Sequence, residues 1–159
     1  MQRMLAEISH HHFPNPPAAQ EEISSFEQRV GWRLDPELRA FYQHCNGADL
    51  FERRPETSYW ILPLSKVIRA RVAILGEDTD ASGPSSWYVV CNVQDGNYVM
   101  VDVSTQNNGR YPLLDGWHEG FPKPQHCKQL AGSFSEFLEQ ALHRGGSLYW
   151  LKDEGESPR

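Results

Sequence analysis

Two segments of this 159-residue chain carry complete helix signals, and together they restrict its fold more than any other feature. In the first, Asp35 suits a helix cap, Pro36 the first helical position, and Glu37 the positive end of the helix dipole. Leu38, Phe41, Tyr42 and Cys45 then recur at i, i+3, i+4 and i+7, which puts four apolar side chains on one face. Asn46-Gly47 offers a left-handed exit. In the second, Ser133 and Glu136 have the spacing of a capping box. Phe134, Phe137, Leu138, Ala141 and Leu142 form the stripe behind it, and Gly145-Gly146 ends it. Both helices present a broad apolar face and neither carries chemistry, so each has to be covered by other parts of the chain.

The middle of the chain supplies that cover as sheet. Tyr59-Trp-Ile-Leu62 is a short β-prone run stopped by Pro63. Trp87 to Val93 and Tyr98 to Val103 are strands separated by Gln94-Asp95-Gly96-Asn97, and an Asp-Gly pair tolerates the positive φ that closes a tight hairpin. Arg110 to Leu114 follows as a third strand after the turn Asn107-Asn108-Gly109, with Pro112 placing it at an edge or bulge. Between Leu64 and Leu75, Ser65 can cap a short helix carrying Val67, Ile68 and Val72. Residues 76–86 form a polar surface loop. A helix from Pro17 to Val30 buries Ile23, Phe26 and Val30 and stops at Gly31. Upstream, His10-His11-His12 and the prolines after it break any helix, so residues 1–16 are expected as a lead-in arm. Leu148-Tyr-Trp-Leu151 returns as a docked segment, which leaves 17–151 as the domain and 152–159 as a charged tail.

Composition bounds the rest. The length fits one domain, able to bury roughly 70% of its unfolded surface without disulfide or metal. Fifteen basic against twenty-one acidic residues give a net charge of -6, which argues against a nucleic-acid backbone as partner and suits docking against a basic protein. Cys45, Cys91 and Cys127 are odd in number and widely spaced, so they imply neither a disulfide framework nor a Cys-x-x-Cys site and read as small buried residues. The first residues lack the apolar core of a signal peptide, and no run of about 18 apolar residues exists. The expectation is a cytoplasmic protein with no membrane partner, monomeric or weakly dimeric.

Each place where chemistry might sit has a simpler reading. Asp78, Asp80 and Ser82 before Gly83 imitate a calcium loop, but its twelfth position is Val89 rather than a bidentate Glu. His10-His11-His12 lies on a Pro-rich stretch that builds no closed metal site. His118, Glu119, His126 and Cys127 match no zinc spacing. Ser133 lacks the second glycine of a nucleophile elbow and already has a capping role. No phosphate-binding or dinucleotide glycine loop is present. Asp95, Asp102 and Glu119 form no required acid–base pair. No catalytic residue, metal or cofactor is assigned, and an enzyme is the least favoured class.

Taken in order, these motifs resemble the SUKH superfamily over about Pro17 to Leu151. That family opens with a short helix and glycine (Ile23 to Gly31), then a capped helix ending in Asn-Gly (Leu34-Asp-Pro-Glu-Leu38 to Asn46-Gly47). A Leu-Pro-Leu element follows, here Ile61-Leu-Pro-Leu64, and then a strand like Gly-x-Tyr-Val-x-x-Asp, here Gly96 to Asp102. The closing motif is Ser133-Phe-Ser-Glu-Phe-Leu138, preceded by Asp115-Gly-Trp-His118-Glu119; Asp35 departs from the usual leucine-proline junction. The resemblance implies an α+β fold, a twisted and mainly antiparallel sheet flanked by helices, with which the order of elements above agrees. It also implies a non-enzymatic protein binder. Many bacterial members are immunity proteins that neutralise a cognate toxin, and others are regulatory or scaffold domains that bind the cell's own proteins or peptides.

A partner surface is expected on the open side of the sheet and its loops. It would comprise Asp95 in the hairpin, Asp102 in the following strand, Trp117-His118-Glu119, and a rim of Glu77, Asp78 and Asp80. Trp87 and Trp117 are the candidate aromatic anchors.

Overall fold

In a computed structural model, described here for residues 1–151, α3 (Pro36–His44) is held at both ends and the sheet is built around it. At its start, one oxygen of Asp35 accepts the backbone N–H groups of Glu37 (3.0 Å) and Leu38 (2.9 Å), while the other accepts that of Tyr111 at 2.9 Å. Glu37 accepts the backbone N–H of Ser135 (2.8 Å) and the Arg110 guanidinium (2.8 Å). The helix stops at His44 with Cys45 already extended, so Asn46-Gly47 does not itself end it. Those two residues dock instead. The Asn46 side-chain oxygen accepts the Leu64 N–H at 2.9 Å, the Tyr42 hydroxyl donates to the Leu62 carbonyl at 2.7 Å, and a Cβ on Gly47 would lie 2.7 Å from the Ile61 carbonyl oxygen. The Asn-Gly and Leu-Pro-Leu motifs are two halves of one contact.

The sheet is a seven-stranded antiparallel meander in sequence order: β1 (Phe13–Pro14), β2 (Ala48–Leu50), β3 (Tyr59–Ile61), β4 (Trp87–Asn92), β5 (Tyr98–Asp102), β6 (Leu113–Gly116) and β7 (Gln129–Ala131). Strand alternation gives it an inner face, where Tyr59 meets Phe137 of α5 (Phe134–His143) and Tyr88 meets Trp32 after α2 (Gln20–Val30). The chain is one α+β domain, as its order of helices and strands predicts.

Several local expectations are corrected. The arm expected over residues 1–16 is α1 (Gln2–His11) plus β1, with Met4, Leu5 and Ile8 buried in the common core. Phe13 and the prolines follow the helix rather than interrupt it. The second helix begins at Gln20, with the Ala19 N–H donating to Glu22, and not at Pro17. The segment from Leu64 to Leu75 divides into a 3-10 turn (Leu64–Lys66) and α4 (Ala70–Leu75), whose cap is Arg69 and not Ser65. Strands β1, β2 and β7 have two or three residues each, too few to show a periodicity. Because β7 pairs with β6, the strand after Pro112 is not an edge; Pro112 sits just before it, and a register shift falls between Leu113 and Leu114. At α5, Ser133 caps Glu136 (3.3 Å), but the Glu136 carboxylate reaches Gly132, and Glu37 supplies the remaining acceptor. The charged tail 152–159 lies outside the described residues.

Phe134, Phe137, Leu138, Ala141 and Leu142 are all buried, Phe137 completely. Phe137→Ala should cost about 3–5 kcal/mol in urea denaturation, a large part of a typical margin of about 5–15 kcal/mol. The two carboxylates at the start of α3 are shifted in opposite directions. Burial raises the Asp35 carboxyl above its ordinary value against three backbone hydrogen bonds. For Glu37, burial acts the same way but is outweighed by the Ser135 N–H and Arg110, which hold it below 4.5. The stabilisation from Glu37 is therefore present above 4.5 and lost as pH falls through its lowered value. Glu37→Gln should be destabilised relative to the native chain at neutral pH. That gap should narrow below 4.5 and close as pH falls through the lowered value of Glu37 in pH-dependent denaturation.

Candidate functional site

The outer face of the sheet is where the expected partner residues can be tested against geometry. Its centre is a cross-strand row set by register: Phe13 faces Asp49, Asp49 faces Trp60, Trp60 faces Asn92, Asn92 faces Tyr98, and Tyr98 faces Gly116. A β-bulge between Val89 and Cys91 makes this possible, because one extra residue turns Asn92 to the same face as Val89. Phe13, Trp60, Asn92 and Tyr98 are half-buried. The Arg53 guanidinium lies 4.5 Å over the Phe13 ring, and that of Arg54 lies 4.2 Å over the Trp60 ring while pairing with Asp49 at 3.1 Å. Beside the row, α4 and the Leu64–Lys66 turn leave a groove of about 420 Å³ lined by Trp60, Leu62, Lys66, Ala73, Val89 and Tyr98, among others.

The expected residues fall at the two ends of this face. At one end the Asn97 side-chain oxygen lies 3.0 Å from the His118 backbone nitrogen and 2.6 Å from its Nδ1, which joins the hairpin tip with Asp95 to Trp117-His118-Glu119. His118 lies 3.9 Å from Glu119, and the Trp117 ring packs against His126. The tip itself is wider than a two-residue turn. Gln94, Asp95 and Gly96 all take positive φ, and the Val93 N–H donates to Asn97. At the other end Asp102, opposite Trp87, accepts the Ser104 N–H and hydroxyl and so shapes the turn after β5.

The acidic rim is largely committed. The nearly buried Arg71 donates to Asp78 (2.8 Å), Asp80 (2.8 Å) and the Gly83 carbonyl (3.0 Å), and Arg69 also pairs with Asp78. The hydrogen bonds from Arg71 and the charge of Arg69 hold the Asp78 carboxyl below its usual range. Glu77 remains exposed. Trp87, a candidate anchor, is 7% exposed with its ring against Phe121, and belongs to the core. Trp60, Tyr98, Arg54 and Lys66 were not singled out by sequence reasoning. Their signal is the alternation of Trp60 and Tyr98 within β runs, which gains meaning only once register is known.

All three cysteines are buried, and burial pushes the Cys45 thiol up to about 12 and the Cys127 thiol to about 11. Among the described residues no group of three or more His, Cys, Asp or Glu is placed to hold a metal ion, and no helix is long and apolar enough to cross a membrane.

The fold and its motifs define a small α+β domain, and comparison with known proteins gives it a class. The chain belongs to the SMI1/KNR4 family (SUKH-1), whose model matches residues 17–140. It is 28% identical over 123 residues to the immunity protein YokJ of Bacillus subtilis (strain 168), a match that covers 77% of this chain and 73% of that protein. The match leaves α1 outside the family region.

Asn97 is the side chain that ties the hairpin to the His118 segment. Asn97→Ala should cost about 1 kcal/mol in denaturation. Amide hydrogen exchange at His118 should become faster, with the core amides of β4 and β5 unchanged.

Proposed function

We propose that this chain is an immunity protein that binds a cognate protein toxin one to one and neutralises it without turnover. The observation that carries the reading is the similarity to an immunity protein along most of both chains. A fold with buried thiols and a contact face of half-buried aromatics is consistent with it. The toxin would meet the outer sheet face. Asp95, His118 and Glu119 would lie at one end and Asp102 and the 77–80 loop at the other, with Trp117 beside the first group. Of these, Glu77, Asp95 and Glu119 are the exposed carboxylates not held by an arginine among the described residues. A net charge of -6 would steer a basic toxin domain and speed association more than it would tighten the final complex. The place of action would be the cytoplasm, with neither membrane nor nucleic acid as partner.

The test begins with a toxic domain encoded beside this chain. Co-expression should restore growth, and the purified pair should elute as a one-to-one complex. Reversing Glu77, Asp95 and Glu119 together should slow association roughly tenfold at low salt and flatten its salt dependence, with dissociation little changed. Failure of rescue, with capture of several housekeeping proteins instead, would favour a regulatory or scaffold module.

A further inference from the structure

The groove beside the aromatic row differs in character from the acidic ends of the same face. Its floor and walls are apolar: Trp60, Leu62, Ile68, Ala73 and Val89. Lys66 is the one charged residue that lines it, and no ion pair engages Lys66 among the described residues. Among the polar groups around the floor, Lys66 and the Asn92 amide offer donors, and the Ser65 and Tyr98 hydroxyls can donate or accept. The Asn92 oxygen is already used by the Gln94 N–H, which leaves its amide N–H groups, and the hydroxyls of Ser65 and Tyr98 have no hydrogen-bond partner among the described residues. Arg54 adds a guanidinium on the far side of Trp60, partly neutralised by Asp49. Glu52 and Glu56 belong to the neighbouring loop but do not line the groove. The volume, about 420 Å³, has room for one or two partner side chains and lies toward the small end of small-molecule pockets, which run from about 300 to 1,000 Å³.

We propose that this groove takes an acidic–apolar segment of the protein partner, a large aliphatic side chain seated against Trp60, Val89 and Ala73 with an adjacent carboxylate on Lys66 and Asn92. The assignment rests on the reading of this chain as a protein binder. It makes the contact face mixed in charge. Acidic ends draw in a basic partner, and a basic, aromatic centre accepts one acidic segment and fixes the register of docking. Opposed charge patterns of this kind exclude wrong partners, because a cation brought to Lys66 would be desolvated without a counter-charge. Gly116 extends the row without a side chain: a Cβ there would lie 2.7 Å from the Tyr98 carbonyl oxygen, so no residue rises beside Tyr98 to close that flank.

The experiment needs no toxin. The full chain, labelled with nitrogen-15, is titrated at physiological salt with an acetylated, amidated tetrapeptide alternating leucine and glutamate. A leucine–lysine counterpart and a thymidine decanucleotide serve as controls. The expected result is saturable shifts at the Trp60 indole N–H, the Asn92 side-chain amide and the Tyr98 backbone amide, with the glutamate peptide alone. Lys66→Glu and Ala73→Arg should each weaken that binding at least about tenfold while the melting temperature stays near that of the native chain. No shifts up to millimolar peptide, shifts elsewhere on the protein, or equal response to the lysine peptide would overturn the proposal. The same shifts with the oligonucleotide would replace it with single-strand stacking. Should the peptide bind as expected while no toxin is neutralised, the groove assignment stands and the immunity reading falls. Should rescue succeed and survive Lys66→Glu and Ala73→Arg with unchanged toxin affinity, the immunity reading stands and the groove assignment falls.

Discussion

A single buried carboxylate joins the two halves of this molecule. Asp35 is 5% exposed, and its two oxygens serve different elements: one closes the first turn of α3, the other accepts the Tyr111 N–H where the chain enters β6. Burying a carboxylate is costly unless its oxygens are hydrogen-bonded, and here three backbone donors serve the two oxygens and offset part of that cost. The start of α3 therefore cannot move without exposing an unpaired amide at the sheet. Two residues on, Glu37 extends the same logic to α5 through Ser135 and to the β5–β6 connection through Arg110. At the other end of the helix, Tyr42, Asn46 and Gly47 hold residues 61–64. One nine-residue helix thus sets the positions of β3, the entry to β6 and the last helix.

This arrangement explains which parts of the fold were legible in the sequence. Asp35, Ser133 and the apolar stripes of α3 and α5 act through neighbours three or four residues away, and such local physics is written in spacing. The strands β4 and β5 were legible because five or six β-prone residues suffice to show their type. Strands β1, β2 and β7 form because the strands beside them, β2, β3 and β6, offer unpaired backbone groups, a reason that lies elsewhere in the chain. Helix α1 was hidden by its sequence context. Its histidines and the following prolines suggested a loose arm, yet Met4, Leu5 and Ile8 share one face, and His12 is tied inward by the Phe51 N–H at 2.7 Å.

The proposed contact face was less legible because its residues are assembled by register. Trp60, Asn92 and Tyr98 become neighbours only through two strand pairings and a bulge, and a shift of one residue would send all three side chains to the helices. Acidic residues, by contrast, are conspicuous in a sequence whether or not they are available. Asp78 and Asp80 illustrate the difference. Their loop is held by Arg71, so their charge is spent within the fold. Asp102 is likewise occupied by its own turn.

Charge pairing inside the loop also shapes the outer face as a whole. With Arg69 and Arg71 matched to Asp78 and Asp80, that end contributes little net field beyond Glu77, whereas Asp95 and Glu119 at the opposite end have no arginine partner among the described residues. The face is therefore polarised along the direction of β5, from the hairpin end toward the 77–80 loop, with aromatic rings and Lys66 between. A partner approaching this surface meets an oriented pattern rather than a uniformly acidic one. Orientation costs are a large part of what binding must overcome, and a surface that encodes direction reduces the number of unproductive encounters. Such patterning can change by substitution at half-buried outer positions while Asp35, Glu37 and the α5 stripe keep the core intact.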